Sequence, residues 1–371
     1  MNERKTNLLI VVAGLGIGGA EVVIQRLAET IDRTRFNLTI ACLKVSGPVG
    51  EELTRQGIEV VVLSKRGGRA DYFTVFRLLR LIRERRIDVV HTHTTDALVE
   101  AALCRILLRR FKLIHTFHFG NYPRAPGRTA RMERIGAGIA DYLLAVGDVQ
   151  RNQIRAAYAL PDPVIGRIWN GVNFRARDDG REFRAKLGVG NETVLIGTLA
   201  TLIEQKGLFD LLSVARQVRD SGANVRFVIV GEGMLRPALE ARRRELGLDD
   251  TVTLAGWVSA AAEVALPAFD IFFQPSLWEA MSIALLEAMS AGKPAVTTRV
   301  GEAPYMVENE GDGLLVEPRD IAGMARALTR LIDDVELRRR MGLAAAAKVA
   351  RQFTVEQMTR AYERVYLGER S

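Results

Sequence analysis

Two cysteines in 371 residues cannot build a disulfide framework. Cys42 and Cys104 sit in apolar surroundings and read as small buried hydrophobes in a reducing, cytoplasmic compartment. No C-x-x-C pair or zinc-type spacing occurs, and aromatic residues make up only 6% of the chain. No uncharged stretch approaches the ~20 residues a membrane-spanning helix needs. The longest candidate, residues 8–20, holds Gly14, Gly16, Gly18 and Gly19, and Glu21 follows it. A buried first strand and a glycine turn explain that run better than a secretory signal does. Low-complexity tracts and internal repeats are absent, which excludes fibrous, disordered and solenoid classes.

What remains is the balance of a globular protein, 48% apolar and 26% charged, long enough for two domains. The net charge of +8 is unevenly spread. Residues 1–170 carry 26 Lys and Arg against 16 Asp and Glu, and the rest of the chain is slightly acidic. A basic half suits phosphorylated substrates or an anionic membrane surface.

Short runs rich in Val, Ile and Leu recur at 8–13, 38–43, 59–63, 88–91, 112–116, 142–146 and 164–169. A second series falls at 194–198, 225–230, 252–255, 271–274, 295–298 and 313–316. Nearly every residue in them is apolar, as in strands buried on both faces of a parallel sheet. Helical patterns alternate with them, at 20–31, 72–85, 97–108, 208–221, 235–246, 283–291 and 321–331. This order predicts two doubly wound α/β domains, residues 1–172 and 173–354, with 173–191 as a linker. Such domains bind ligands outside the carboxyl ends of their strands.

The first glycine turn, Gly14-Leu15-Gly16-Ile17-Gly18-Gly19, follows a strand and opens a helix, as a phosphate-binding turn does. A nicotinamide site also wants an acid at the end of the second strand, and Lys44 stands there instead. An NADP-dependent oxidoreductase therefore remains an alternative, with Lys44 on the 2′-phosphate. All four histidines, His91, His93, His115 and His118, follow two consecutive predicted strands. Zinc is conceivable there, but no carboxylate or cysteine stands at ligand spacing. His91 and His115 read as core residues, whereas His93 and His118 lie nearer the loops.

Lys206-Gly207 sits between a strand and a helix, where an ammonium can neutralise phosphate. In the stretch 275–289, Ser282 is a predicted N-cap, so the amides of Ser282 and Ile283 form a helix start suited to a diphosphate. Glu279 then lies in the preceding loop and Glu287 about one and a half turns into the helix. Their carboxylates are suited to accepting hydrogen bonds from sugar and ribose hydroxyls.

These pieces together resemble glycosyltransferase family 4, the retaining group with the GT-B architecture of two Rossmann-like domains facing across a cleft. The resemblance runs through Gly18-Gly19-Ala20-Glu21, Asp88-Val89-Val90-His91-Thr92-His93, His115-Thr116-Phe117-His118 and Asn170-Gly171-Val172-Asn173. It continues in Lys206-Gly207, Gly231-Glu232-Gly233 and the E-x(7)-E pair Glu279 and Glu287. It implies a nucleotide-diphosphate sugar as donor, a glycan or lipid-linked acceptor of envelope or exopolysaccharide assembly, and no metal or other cofactor. Gly18, Gly19, Lys206 and the Gly231 turn would then face the donor. His118 and Glu279 would contact the transferring sugar, and Glu287 the ribose. The final segment, 355–371, would pack back on the first domain.

Two departures from the family pattern stand out. Thr201 occupies the place of an arginine that pairs with the lysine on the diphosphate, so a non-catalytic sugar-nucleotide-binding relative is a further alternative. Val300-Gly301-Glu302-Ala303-Pro304-Tyr305 replaces the commoner G-G-x-P-E. On the acceptor side, residues 105–134 hold eight basic residues and one acid, Glu133. With 125–137 helical, Arg128, Arg131 and Arg134 share about a third of the circumference. Together with Arg124 they would form a face for an anionic membrane or a lipid phosphate, making the protein peripheral at the inner face of the membrane. Nucleic acid is not expected, because aromatics are not interleaved with the arginines.

Overall fold

The computed structural model describes residues 4–16, 18–67, 71, 73–161 and 164–369. It divides into two units: the described residues of 1–170 with those of 355–371, and residues 171–354.

The first unit is built on strands β1 (Thr6–Gly14), β2 (Phe36–Val45), β3 (Glu59–Val62), β4 (Val89–Thr92), β5 (Lys112–Phe117), β6 (Tyr142–Ala145) and β7 (Ile165–Arg167). They pair in the order β3-β2-β1-β4-β5-β6-β7, all parallel. Leu8, Leu9, Ile10 and Val11 are fully buried, as expected for a strand covered on both faces. The second unit holds β8 (Val194–Leu199), β9 (Val225–Val230), β10 (Val252–Gly256), β11 (Ile271–Gln274), β12 (Ala295–Thr298) and β13 (Gly313–Val316). Their order is β10-β9-β8-β11-β12-β13, again parallel.

Each sheet begins at an interior strand, runs to one edge, then returns to the other side of its first strand. The direction therefore reverses between β1 and β4 in one unit and between β8 and β11 in the other. At such a reversal the loops after the two strands diverge and leave a crevice at their carboxyl ends. The glycine turn and the His91–His93 loop leave the first reversal, and the Lys206 and Glu279 loops leave the second.

The segment 173–191 is not a free linker. It contains the helix Arg181–Lys186, and Phe183 is buried. Arg184 donates to the carbonyls of Ala268, Gly190 and Thr193 and pairs with Asp270 at 3.0 Å. One apolar anchor and one guanidinium fork tie this stretch to the second unit, a pattern that polar composition alone conceals. The helix expected over 125–137 spans Arg128–Ile139, because Ala125 precedes a proline and is biased away from helix. The helix expected from Tyr72 is described over Thr74–Glu84; Tyr72 and, in the first glycine turn, Ile17 lie outside the described residues.

The helix Val355–Leu367 packs on Gly19–Thr30 in the first unit. Thr359 shares a 2.6 Å hydroxyl contact with Thr30, the Asp32 amide donates to Glu363 at 2.8 Å, and Lys112 donates to the Val365 carbonyl at 2.8 Å. Among the described residues no helix is long and apolar enough to cross a membrane.

Candidate active site

In the second unit, β8 leads through Ala200–Ile203 into a single helical turn, Glu204–Lys206, and then into the helix Leu208–Asp220. Gly207 sits between them with φ +60°, and a Cβ there would fall 1.9 Å from the Pro275 carbonyl oxygen. Only glycine lets the Lys206 turn press against the chain leaving β11. The Leu277 amide completes the contact by donating to the Gln205 carbonyl at 2.7 Å.

The result is a charged cluster at the β8–β11 reversal. Lys206 Nζ lies 2.6 Å from Glu279 Oε1, and Ser276 Oγ donates to the same oxygen at 2.8 Å. Gln205 Nε2 donates to Oε2 at 3.1 Å. Glu279 is buried, and each of its oxygens accepts a hydrogen bond. The lysine is held in a fixed position, with a fifth of its side chain still exposed.

Ser282 caps the helix Ile283–Ser290: its Oγ accepts from the Leu285 amide at 3.2 Å and donates to Gln274 Oε1 at 2.7 Å. Its hydroxyl is thereby committed, so what this helix start offers an anion is backbone. The amides of Ile283 and Ala284 have no carbonyl a turn earlier to bond. Glu287 is half-buried in the same helix, between the buried pairs Leu285, Leu286 and Ala288, Met289. Thr201 is exposed in the loop after β8. Gly231 follows β9 with φ +141°, and a Cβ there would lie 2.0 Å from the Ala200 carbonyl oxygen. Close packing of two loops thus requires glycine at this position whether or not a ligand is bound. At the departure in 300–305, the Glu302 amide donates to the Ala280 carbonyl at 2.9 Å and the side chain is fully buried, so this loop braces the one carrying Glu279.

In the first unit, Gly18 is the N-cap of the helix Gly19–Thr30, and its backbone is fully extended. A Cβ at Gly16 would meet nothing within 4 Å, so packing does not account for glycine there. Lys44 pairs with Asp96 at 2.7 Å and is engaged within the unit.

The histidines form a connected row. Thr116 Oγ1 lies 2.8 Å from His91 Nε2, and Tyr366 OH lies 2.8 Å from His91 Nδ1. His93 Nε2 is 3.2 Å from His91 Nδ1, and His93 Nδ1 is 2.9 Å from His118 Nε2. His93 is buried, not displaced toward solvent as its place after the strand suggests, while His118 is half-buried. His115 turns to Thr92 Oγ1 at 2.8 Å. Burial holds all four rings in the neutral form, pushing His118 down to about 3 and His115 to about 4, and His91 and His93 well below the usual imidazole range. The described residues contain no group of three or more His, Cys, Asp or Glu placed to hold a metal ion.

The expected arginine face needs one correction. Arg124 is not part of it: its guanidinium pairs with buried Glu133 at 3.0 Å and lies 4.0 Å over the Phe119 ring. Glu133 also accepts from Thr95 at 2.6 Å, Tyr158 at 2.6 Å and Tyr122 at 2.8 Å. Burial pushes this carboxyl up, but the hydroxyls and Arg124 outweigh it and hold it below its ordinary value. The only acid in the basic stretch is therefore the hub that engages Arg124 and leaves it half-buried. Arg128, Arg131 and Arg134 are exposed.

A glycosyl transferases group 1 model matches residues 179–348, and a glycosyltransferase family 4 model matches residues 17–175. The chain belongs to glycosyltransferase family 4. This family 4 enzyme is 26% identical over 335 residues to an Escherichia coli UDP-Gal:alpha-D-GlcNAc-diphosphoundecaprenol alpha-1,3-galactosyltransferase, covering 86% of each chain. It is 31% identical over 192 residues to the lipopolysaccharide core biosynthesis glycosyltransferase LpsD of Rhizobium meliloti, covering 52% of this chain and 54% of that one. Its fold matches Anabaena HepE in complex with UDP-glucose with a TM-score of 0.85 at 22% identity, over 98% of this chain and 100% of the other. The fold is GT-B, and the oxidoreductase alternative falls with the family assignment.

The sequence pointed to Lys206, Glu279, Ser282, His118 and the glycine turn. It gave no indication of Gln205 and Ser276 as partners of Glu279, nor of Gln274 behind Ser282. Tyr366 behind His91 lies 275 residues away, and no local pattern links them.

Proposed function

We propose that this glycosyltransferase binds a nucleoside diphosphate sugar in its second unit and transfers the sugar, with retention, to a hydroxyl of a glycan or lipid-linked acceptor of the bacterial envelope. The observation that carries this reading is the Lys206–Glu279 cluster at the β8–β11 reversal, beside the first turn of Ile283–Ser290. It sets a cation and helix amides for a diphosphate next to a carboxylate for sugar hydroxyls. Glu287 takes the ribose, His118 a hydroxyl of the transferring sugar, and Gly18 and Gly19 give backbone access to the donor. The C1–phosphate bond breaks and the acceptor oxygen bonds C1 on the same face. The acceptor proton passes to the departing phosphate oxygen. Lys206 and the amides meet the charge developing there, with no metal ion required. The donor and acceptor classes follow those in the names of the Escherichia coli relative and the Anabaena structure. A thermal-shift panel of nucleoside diphosphate sugars tests the reading. The right donor at 100 times its Kd adds about 2.7 kcal/mol of stability. Stabilisation by NADP but by no diphosphate sugar would reject it.

Thr201 leaves the diphosphate with one cation fewer than the family pattern supplies. Thr201→Arg restores a charge-assisted donor, worth about 1.5–3 kcal/mol, and should tighten nucleoside diphosphate binding by about tenfold or more in calorimetry. A large loss of affinity would mean the diphosphate lies elsewhere.

We further propose a peripheral contact with anionic lipid. The exposed arginines 128, 131 and 134 flank Ile135, which is 59% exposed. The adjoining helix Thr95–Leu108 turns Leu103, Ile106 and Leu107, spaced along one face, to solvent at 48%, 51% and 65%. Apolar residues beside arginines suit the boundary between headgroups and acyl chains. Each arginine near such a surface is worth about 1 kcal/mol. R128A/R131A should therefore weaken flotation with phosphatidylserine vesicles roughly thirtyfold at low salt. No flotation of the wild-type protein would discard the surface.

A further inference from the structure

The strand β11 is Ile271, Phe272 and Phe273, all fully buried, and then Gln274, which is 4% exposed. The glutamine is tied at two of its polar groups. Its backbone carbonyl accepts from Thr297 Oγ1 at 3.2 Å, and its Oε1 accepts from Ser282 Oγ at 2.7 Å. Its Nε2 is buried and has no hydrogen-bond partner among the described residues. A wholly apolar strand thus ends on an amide with one end unpaired, which is costly unless something pairs it.

The cap fixes which end that is. Ser282 Oγ already accepts from the Leu285 amide, and its own proton needs an acceptor. Among the described residues Gln274 Oε1 is the acceptor it meets. With the carboxamide turned over, Nε2 would donate to the cap oxygen and the hydroxyl proton would be orphaned in its place. A planar amide holds Nε2 about 2.3 Å from Oε1, so the unpaired donor lies within about 5 Å of the cap oxygen. It therefore stands at the start of the helix Ile283–Ser290, at the carboxyl end of β11 where the reversal from β8 opens the crevice. Ser276, whose hydroxyl holds Glu279, is two residues further on.

We propose that Gln274 is a further donor-binding residue, its Nε2 donating to a diphosphate oxygen of the nucleotide seated on the first turn of Ile283–Ser290. This deepens the proposed function and rests on it. An amide nitrogen donates and cannot accept, so its partner must offer a lone pair. A phosphate oxygen does so without bringing a proton of its own, and the neighbouring helix amides favour an anion. A neutral donor also suits this position when no ligand is bound. A cation buried here without a counter-charge would cost far more than an unpaired amide. With Thr201 supplying no charge, Gln274 gives the diphosphate one more fixed hydrogen bond.

Calorimetry with UDP and with GDP tests the assignment. The wild type should bind at least one of the two. Gln274→Met keeps the length of the side chain and removes the donor, so Kd should rise about tenfold or more, the scale of one hydrogen bond to a charged group. Gln274→Glu keeps an oxygen for the Ser282 hydroxyl but sets a second anion against the phosphate, and Kd should rise about a hundredfold or more. The order of the two variants separates contact from support. If Gln274 only held the cap, the glutamate variant, which still accepts from Ser282, would bind better than the methionine variant. That order would overturn the assignment, as would a methionine variant with the Kd of the wild type. Should the methionine variant fold poorly, the glutamate variant decides alone, and a Kd within threefold of the wild type overturns the contact. Binding of neither nucleotide by the wild type would instead reject the donor reading itself, so the two failures are told apart.

Discussion

Glu279→Ala should lower turnover about 100- to 1,000-fold, the loss typical of removing one fixed polar partner of a transition state. The variant should still fold. Glu279 accepts from Lys206, Ser276 and Gln205, and its loss leaves the Ser276 hydroxyl buried and the Lys206 ammonium without its counter-charge. That costs about 1–3 kcal/mol, which a urea midpoint will register without abolishing the native state. Glu279→Gln separates the two contributions: it keeps the shape and can still accept from Ser276, but it no longer balances the lysine. If the carboxylate is needed only to anchor Lys206, the two variants will lose donor affinity alike and kcat will hardly move. If it holds the sugar, kcat falls with KM little changed. Turnover of the alanine variant within threefold of wild type would remove Glu279 from the active site.

Acid should destabilise the first unit well before its carboxylates titrate. His91, His93, His115 and His118 are neutral in the folded state because burial disfavours their charged forms, while in the unfolded chain they titrate near 6.5. The unfolded state therefore binds more protons at every pH below about 6.5. Stability is fully present above that value and is lost as the pH falls, until the folded rings themselves protonate, at about 4 for His115 and about 3 for His118. Each histidine contributes up to about 1.4 kcal/mol per pH unit in that window. The groups that bear on this are the rings themselves and, for His115, Glu133 and Arg124, whose opposite effects act after burial. Glu133 adds its own loss only at lower pH, because its carboxyl lies below the ordinary glutamate value. Urea midpoints at pH 7.5, 6 and 5 should decline with a slope of more than one proton. His115→Asn should reduce the slope by about one proton. A midpoint unchanged between pH 6.5 and 5 would show that the rings take up protons without unfolding.

Much of the candidate site was legible because its parts lie where the chain leaves a buried strand. Val, Ile and Leu runs mark the strands, and a glycine, serine or lysine just after them marks the loop, so Lys206, Glu279 and Ser282 could be placed before any coordinates. The proposed linker at 173–191 misled for the converse reason. Its polar residues hide one anchor, Phe183, and a guanidinium, Arg184, whose acceptors include Ala268 and Asp270, 84 and 86 residues along the chain. Arg124 misled in the same way. Charge counting puts it with Arg128 and Arg131, but nothing in composition says that Glu133 turns inward and takes Arg124 with it.

The sequence by itself determined the two parallel sheets, the strand ends where the candidate site lies and the residue types waiting there, because hydrophobic periodicity and turn chemistry are local properties of the chain. Only the tertiary structure decided which of these side chains meet. The contact of Lys206 with Glu279 spans 73 residues and that of His91 with Tyr366 spans 275. Hydrogen bonds act within about 3 Å, so their partners are chosen by packing across the sheet, not by spacing along the chain.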